Sequence, residues 1–135
     1  MKLISKKIHD IHLVSCLVQD AITMLDWMDH KQKKFDLYLN RFCWEDKAEK
    51  SEKYRTNSML CINNAEKAMV KNAPKARNVF KTLLACLCKS KHEIHLVFDD
   101  SFEIILSGKN LNIQLEDLTE KWPTTVIPFH SFSQA

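Results

Sequence analysis

The chain has 135 residues, of which 45% are hydrophobic and 27% are charged. These proportions are typical of one globular domain and argue against a disordered chain. The net charge of +3 is too small to indicate nucleic-acid binding by itself. The single glycine, Gly108, argues against P-loop and dinucleotide-binding folds, because their phosphate loops need several glycines.

The cysteines predict a reducing compartment. They are odd in number and lie in apolar segments, which is typical of free, buried thiols and not of a disulfide framework. A signal peptide does not fit, because His9 and Asp10 follow the N-terminal lysines before any apolar run, and no window is long enough to span a membrane. We therefore expect a soluble, cytoplasmic protein. The five cysteines are Cys16, Cys43, Cys61, Cys86 and Cys88.

The first third of the chain predicts a strand, a helix and a hairpin. Residues 2–5 suit a short strand. Apolar residues then recur at helical spacing behind Asp10, which is placed as an N-cap, and the polar pair at residues 19–20 ends this helix. Residues 22–28 and 35–45 predict two strands joined by a polar turn, as in a hairpin. The helical apolar positions are Ile11, Val14, Leu17, Val18 and Ala21.

The second of these strands contains a break in its alternation. The apolar residues of its first half share one face, so strict alternation would turn Arg41 into the core and Phe42 outward. We predict instead a β-bulge at Asn40-Arg41, which returns Phe42 and Trp44 to the buried face. A polar pair at such a bend is a candidate site. The apolar residues that set the alternation are Phe35, Leu37 and Leu39.

The middle of the chain predicts further strands. Residues 45–57 carry mixed charge without apolar periodicity, and this predicts a solvated loop. Short strands are predicted at residues 58–63 and 67–71, and a central strand at residues 80–88, where the pattern also fits a helix. Residues 94–106 alternate on both sides of an Asp-Asp-Ser turn and predict a hairpin.

The end of the chain completes the predicted fold. Leu111, Leu115 and Leu118 have the spacing of a short C-terminal helix, and residues 121–135 suit an extended tail. We therefore predict a single α+β domain over residues 1–120. It would be a mostly antiparallel meander of about six or seven strands, with an N-terminal helix and a short C-terminal helix. This order is compatible with a pleckstrin-homology-like small barrel.

Two stretches of the sequence resemble a known family. Residues 14–21 end in Gln-Asp-Ala, and residues 35–45 contain Leu-Asn-Arg-Phe-x-Trp-Glu. Both stretches resemble domain of unknown function (DUF) 2948, a family of short alphaproteobacterial proteins, and a looser likeness covers nearly the whole chain. The resemblance implies a cytoplasmic bacterial protein and supplies no activity.

The best candidate site combines polar residues from the helix end and the bulged strand. Asp20 would orient Arg41, whose donor fork would then bind a carboxylate or phosphate. Alternatively, Asp20 and Arg41 form a structural ion pair, while Gln19 and Asn40 bond to loop backbone. The structural role is the stronger hypothesis, since buried polar clusters more often stabilise a fold than bind a ligand. The candidate residues are Gln19, Asp20, Asn40, Arg41 and Glu45.

A second cluster has residue types that bind zinc. Cys86, Cys88, His92 and His95 lie close in the sequence, but they lack the CxxC knuckles of structural zinc sites. They are a weak metal candidate, because strand-buried cysteines beside a turn histidine explain the same pattern. Cys43 has apolar neighbours that would raise its pKa and make it a poor nucleophile. We expect no metal, no cofactor and no catalytic residue.

Charge is segregated along the second half of the chain. Residues 65–91 contain seven Lys or Arg and one Glu, whereas residues 92–120 contain seven Asp or Glu and one Lys. If these segments form neighbouring strands, their charges neutralise across the sheet, which we favour. Otherwise the basic residues form a patch for RNA, an acidic protein or an anionic membrane surface. This basic patch is Lys67, Lys71, Lys75, Arg77 and Lys81.

These observations favour a non-enzymatic binding or protein-interaction domain, in which Arg41 and its neighbours recognise an anionic peptide or protein. The alternative is an RNA-associated protein that uses residues 65–91. Base stacking is not supported there, because Phe80 is the one aromatic residue in that segment. The second alternative is a metal- or thiol-dependent enzyme.

Overall fold

A computed structural model describes residues 2–5, 11–45 and 53–124 of the chain. These residues form one α-helix, α1 (Ile11–Val18), one short 3₁₀ helix (Leu25–Trp27) and eleven β-strands. The strands are β1 (Lys2–Ser5), β2 (Ala21–Thr23), β3 (Met28–Lys31), β4 (Lys34–Phe42), β5 (Lys53–Asn63), β6 (Lys67–Lys71), β7 (Lys81–Ser90), β8 (Glu93–Phe98), β9 (Glu103–Ser107), β10 (Asn112–Asp117) and β11 (Trp122–Thr124).

All the strands belong to one antiparallel sheet. Its order is β1-β10-β5-β4-β2-β7-β8-β9-β6, with β11 paired to β5 and β3 paired to β4. The long pair β4–β5 forms its centre, and its register runs without a shift from Lys34 opposite Asn63 to Phe42 opposite Arg55. The predicted bulge at Asn40-Arg41 is therefore wrong. Strict alternation continues through β4.

The hydrophobic core lies between helix α1 and one face of the curved sheet, which we call the inner face. On β4 the inner face carries Phe35, Leu37 and Leu39, as the alternation predicted. The helix contributes Ile11, Val14 and Val18. The helix is also fastened to β7, since the Ser15 hydroxyl accepts a hydrogen bond from the backbone N–H of Cys86 at 2.9 Å.

The turns are made largely without glycine. Gln32 and Lys33, between β3 and β4, both have positive φ, of 53° and 63°. Asp100 and Ser101, between β8 and β9, have φ of 57° and 62°. Paired positive φ values are typical of the tight hairpin turns that match strand twist.

Gly108 has a different purpose, because a Cβ atom there would lie 2.1 Å from the backbone oxygen of Asn64. The single glycine therefore permits a close approach of two backbones and does not serve a left-handed turn.

The α+β class, the mostly antiparallel sheet and the N-terminal helix are confirmed. The number of strands was underestimated, and the predicted C-terminal helix is wrong, because residues 112–117 form β10 between β1 and β5. Leu111, Ile113 and Leu115 are buried at a period of two, which the helical spacing of the leucines concealed. The closing helix of the pleckstrin-homology-like expectation is therefore missing from these residues.

Other segments differ in detail from the prediction. Residues 53–57 of the loop expected at residues 45–57 are the start of β5, an 11-residue strand, while residues 46–52 lie outside the described residues. The strand expected at residues 22–28 is interrupted by the 3₁₀ helix. The predicted hairpin of β8 and β9 is confirmed. Asp10, expected as an N-cap, also lies outside the described residues, as does the chain beyond Thr124.

Candidate functional site

The central sheet separates the predicted site residues into two groups. Arg41 continues the inner face of β4, whereas Asn40 and Phe42 belong to the opposite, outer face. Asn40 lies across from Ile22 of β2, and Phe42 lies across from Arg55 of β5. The predicted cluster of five residues is therefore not one site.

On the inner face, Arg41 is the centre of an ion-pair cluster. Its side chain is 0% exposed. Nη1 and Nη2 donate to the two carboxylate oxygens of Glu45, each at 2.8 Å, and Nε and Nη2 donate to the carboxylate of Asp117 at 2.9 and 2.8 Å. Ser58 donates a further hydrogen bond to Asp117 at 2.6 Å, and Lys121 lies 3.7 Å from Glu45. Four of the five guanidinium donors are thus used within the protein.

The cluster is held in its charged form. Burial by itself would lower the pKa of Arg41, but the hydrogen bonds to Glu45 and Asp117 raise it well above its ordinary value. Burial would raise the pKa of Asp117, but hydrogen bonds from Arg41 and Ser58 lower it to about 2. The pKa of Glu45 is also lowered, because the hydrogen bond from Arg41 outweighs the effect of burial. These groups therefore stay ionised at neutral pH.

The prediction that Arg41 faces Asp20 is wrong, since Asp117 and Glu45 are its carboxylate partners. Sequence reasoning missed Asp117 because residues 111–118 were interpreted as a helix. Interpreted as a strand, they would have placed Asp117 on the same face as Ile113 and Leu115, where a carboxylate needs a cation.

The outer face carries a cleft of about 440 Å³. It lies where β2, β4, β5 and β7 meet, beside the 3₁₀ helix. Its lining combines apolar and aromatic residues with a few polar groups, which is typical of ligand sites. The lining residues are Ile22, Trp27, Asn40, Arg55, Phe80 and Thr82.

Arg55 is the charged group of this cleft. Its Nη1 donates to the side-chain oxygen of Asn40 at 2.9 Å, and its guanidinium carbon lies 5.9 Å from the ring centre of Phe42. Burial lowers the pKa of Arg55, and the negative charge of Asp20 raises it in part. The guanidinium is therefore held in place, partly removed from water, and still positively charged at neutral pH.

Aromatic residues form the other wall of the cleft. The Trp27 ring contacts Tyr38 and Phe80 edge to face, with ring centres 5.2 and 5.8 Å apart. Phe80 is 62% exposed, which is unusual for such a large apolar side chain. Sequence reasoning placed Phe80 next to the basic segment and did not connect it with Asn40, because they are distant in the chain.

The remaining predicted site residues divide between the two faces. Gln19 uses its backbone oxygen to accept a hydrogen bond from the Trp44 ring at 2.8 Å. Asp20 follows it at the turn into β2, with a φ of 63°, and its charge acts on Arg55. Of the predicted site residues, Asn40 lines the outer-face cleft, and Glu45 bonds to Arg41.

The predicted basic patch is not one surface. Lys81 is buried and pairs with Asp99 and Asp100 across the sheet, at 3.6 and 2.9 Å. Arg77 is exposed but pairs with Asp26 at 3.0 Å. Lys67, Lys71 and Lys75 are exposed. Cross-strand neutralisation therefore holds for Lys81 and leaves the lysines of β6 at the surface.

The four candidate zinc ligands are spread over both sides of the sheet. Cys86 is buried in the core, and burial raises its pKa to about 12. His95 lies on the outer side of β8, where its two ring nitrogens contact Glu103 and Glu93 at 2.5 Å. No group of three or more possible metal ligands converges within residues 2–5, 11–45 and 53–124. Cys43 is also buried.

The described residues thus form a small α+β domain with an aromatic-walled cleft on its sheet. The chain belongs to the family described as protein of unknown function (DUF2948), whose model matches residues 1–130. This confirms the resemblance seen in the sequence. No curated protein and no solved structure matches the chain. In the described part of the chain, no helix is long and apolar enough to cross a membrane.

Proposed function

We propose that this protein is a non-enzymatic binding domain whose site is the outer-face cleft. Its partner is an anionic peptide segment, with a carboxylate on Arg55 and an adjacent apolar side chain against Trp27 and Phe80. The observation that carries the proposal is a fixed, half-buried arginine in the same cleft as an exposed phenylalanine ring and a half-buried tryptophan ring. We further propose a cytoplasmic location, in line with the five free cysteines.

The donors of Arg55 support an anion as the ligand. Within the described residues, only its Nη1 donates hydrogen bonds, to the side-chain and backbone oxygens of Asn40. Nε and Nη2 therefore retain donors in the planar arrangement that matches a carboxylate. Because the guanidinium is already partly dehydrated and held by Asn40 and Phe42, binding an anion costs less ordering than it would at a mobile surface arginine.

The aromatic wall supports an apolar group next to that anion. Phe80 and Trp27 expose ring surface that no described residue covers completely, and burying it would contribute to affinity. The cleft volume of about 440 Å³ lies in the range of ligand pockets, roughly 300–1,000 Å³. It accommodates one large side chain and its carboxylate.

Arg41 does not serve as the anion site that the sequence suggested. Its donors are used by Glu45 and Asp117, and two carboxylates beside it would repel a third. The proposed site thus keeps Asn40 from the original candidates and replaces Arg41 with Arg55.

Matched small probes test the proposal directly. N-acetyl-phenylalanine carries both the carboxylate and the ring, whereas its amide lacks only the charge. We expect the acid to shift the backbone N–H signals of Arg55 and Phe80 in NMR spectra. The uncharged amide probe should bind with an affinity at least about tenfold lower than that of the acid. Arg55→Gln is expected to abolish the difference between acid and amide.

Two variants serve as controls. Lys53→Gln removes a charge two residues from Arg55 on the same strand, and Val79→Ala trims an exposed neighbour of Phe80. Neither lines the cleft, so both should bind like the unmodified protein. Equal binding of acid and amide to the unmodified protein, or signal changes away from the cleft, would rule out the proposal.

The RNA alternative receives less support from the geometry. Two members of the basic patch, Arg77 and Lys81, are ion-paired, and the other three, Lys67, Lys71 and Lys75, remain exposed. If RNA were the partner, affinity for a single-stranded homopolymer would fall steeply with added salt. The thiol-enzyme alternative is also weakened, since Cys43 and Cys86 are buried.

A further inference from the structure

Strand β6 (Lys67–Lys71) is an end of the sheet. In the part of the chain that the structure describes, it pairs only with β9 and closes the strand order on that side. All five of its residues are exposed. An end strand of this kind presents backbone N–H and C=O groups to which another extended chain can bond.

Both faces of β6 are apolar at their centre. Val70 lies opposite the buried Ile104 of β9, yet it is 49% exposed. Met69 lies opposite Ile105 and is 58% exposed. The core layer thus ends beneath β9 and does not cover β6. An additional strand would bury apolar surface on both sides of the sheet.

A pocket of about 450 Å³ adjoins this strand. Ala68, Met69 and Ile105 line it, together with His30, whose ring is held by the backbone oxygen of Ala65 at 2.7 Å. Glu93 also lines it, but its carboxylate contacts His95. In strand addition, backbone bonds supply affinity and such pockets select side chains.

The charges of β6 restrict what can bind. Lys67 and Lys71 occupy its two ends on the same face as Met69. If two copies of the chain paired through β6 in antiparallel fashion about Met69, each Lys67 would face a Lys71, and like charges directly opposite destabilise a sheet. Lysines on end strands oppose self-pairing for this reason. An acidic strand would instead be attracted.

We propose that β6 is a docking edge for an extended acidic segment of another protein, which binds as an added strand. The alternation of β6 defines the partner: acidic residues at positions one and five oppose the lysines, and apolar or β-branched residues between them cover Met69, Val70 and the pocket. This surface is separate from the Arg55 cleft, because β8 and β9 lie between β6 and β7, the nearest strand that lines the cleft.

The probe is the peptide acetyl-Ser-Glu-Val-Thr-Val-Glu-Ser-amide, titrated into the full-length protein and followed by NMR. We expect the amide signals of residues 67–71 to shift and their hydrogen exchange to slow. Lys67→Glu with Lys71→Glu should weaken binding about tenfold or more, because two attractions become repulsions. Lys89→Glu with Lys91→Glu changes the total charge equally at two exposed residues and should change affinity less than about twofold.

Three results would overturn the proposal. One is equal binding of a peptide with lysines in place of the glutamates. Another is binding of the acidic peptide without any change at residues 67–71. The third is slow hydrogen exchange in the free monomer at those amides of residues 67–71 that do not bond to β9, which would mean that the open edge is already paired. Arg55→Gln should leave this binding intact, so the result is independent of the function proposed for the cleft.

Discussion

Two arginines lie on opposite faces of the strand pair β4–β5 and differ in how many of their guanidinium donors bond within the protein. Arg41 on β4 is enclosed by Glu45 and Asp117, and four of its donors bond to them. Arg55 on β5 lies opposite Phe42, which follows Arg41 on β4, and bonds to the neutral Asn40. Residue type therefore does not distinguish an arginine whose donors are used within the protein from one that we propose binds a ligand. The distinction comes from how many of its donors the protein already satisfies.

Removing the inner arginine should have the largest effect. Arg41→Met leaves Asp117 buried without its cation, and we expect the free energy of unfolding to fall by roughly 3–5 kcal/mol. Urea denaturation of the variant beside the unmodified protein measures this loss. A loss below about 1 kcal/mol would mean that the cluster is no more than a surface ion pair.

Replacing Asp117, a carboxylate partner of Arg41, should lower the free energy of unfolding by a smaller amount that depends on pH. The pKa of Asp117 is about 2 in the folded protein, against an ordinary value of 3.8. Because the folded-state pKa is the lower one, the contribution is complete above the ordinary value and is lost as the pH falls through the folded-state value. The shift corresponds to roughly 2 kcal/mol.

Asp117→Asn should therefore lose about that amount at pH 7. It should also show a flatter fall in stability between pH 4 and pH 2 than the unmodified protein, since Asn does not titrate. Denaturation curves at a series of pH values measure both effects. An unchanged pH profile in the variant would show that Asp117 does not carry this dependence.

The outer arginine should matter little for folding. Arg55→Gln removes the hydrogen bonds to Asn40 and a cation–π contact at a half-buried position, and we expect the free energy of unfolding to fall by about 1 kcal/mol or less. The same variant should lose acid-over-amide selectivity for N-acetyl-phenylalanine. If Arg55→Gln destabilised the protein as much as Arg41→Met, the claim that Arg55 contributes much less to folding stability than Arg41 would be wrong.

Replacing Asn40 should have the smallest effect on stability and tests whether Asn40 positions Arg55. Asn40→Ala removes the acceptor that holds the Arg55 guanidinium and leaves its charge in place. We expect little change in stability, within about 0.5–1 kcal/mol, and a few-fold loss of affinity for the acid probe through the added ordering cost. Asn57→Ala, at the half-buried position of β5 opposite Asn40 but outside the cleft lining, is a control that should bind normally.

Some of the fold was predictable because it depends on local alternation. The hairpin of β8 and β9 and the inner face of β4 follow from apolar residues at a period of two, which the backbone geometry of strands enforces. The start of β5 was not predictable in this way. Its inward-facing residue Thr56 is polar, and its hydroxyl is satisfied in the buried position by the backbone oxygen of Thr119, which is 63 positions away.

The candidate site likewise has features that were predictable from local sequence and features that depend on distant residues. The sequence indicated that Asn40 and Arg41 interrupt an apolar strand, and both residues do take part in polar clusters. It did not indicate a partner 76 positions away for Arg41, nor that Phe80 and Arg55 share a cleft. A bulge was expected because an inward-facing arginine is costly alone. That cost is offset by two carboxylates, that of Glu45 four residues along the chain and that of the distant Asp117.

By itself, the sequence determined the family, the class of fold, the N-terminal helix and the faces of the most apolar strands. These properties depend on residues close together in the chain, where spacing alone decides which side chains share a face. Only the tertiary structure decided that the donors of Arg41 bond within the protein and that Arg55 retains donors in a cleft with Trp27 and Phe80. It also decided that β6 lies at one end of the sheet. Those properties depend on which distant segments become neighbours, because electrostatic satisfaction and burial are set by contacts across the sheet.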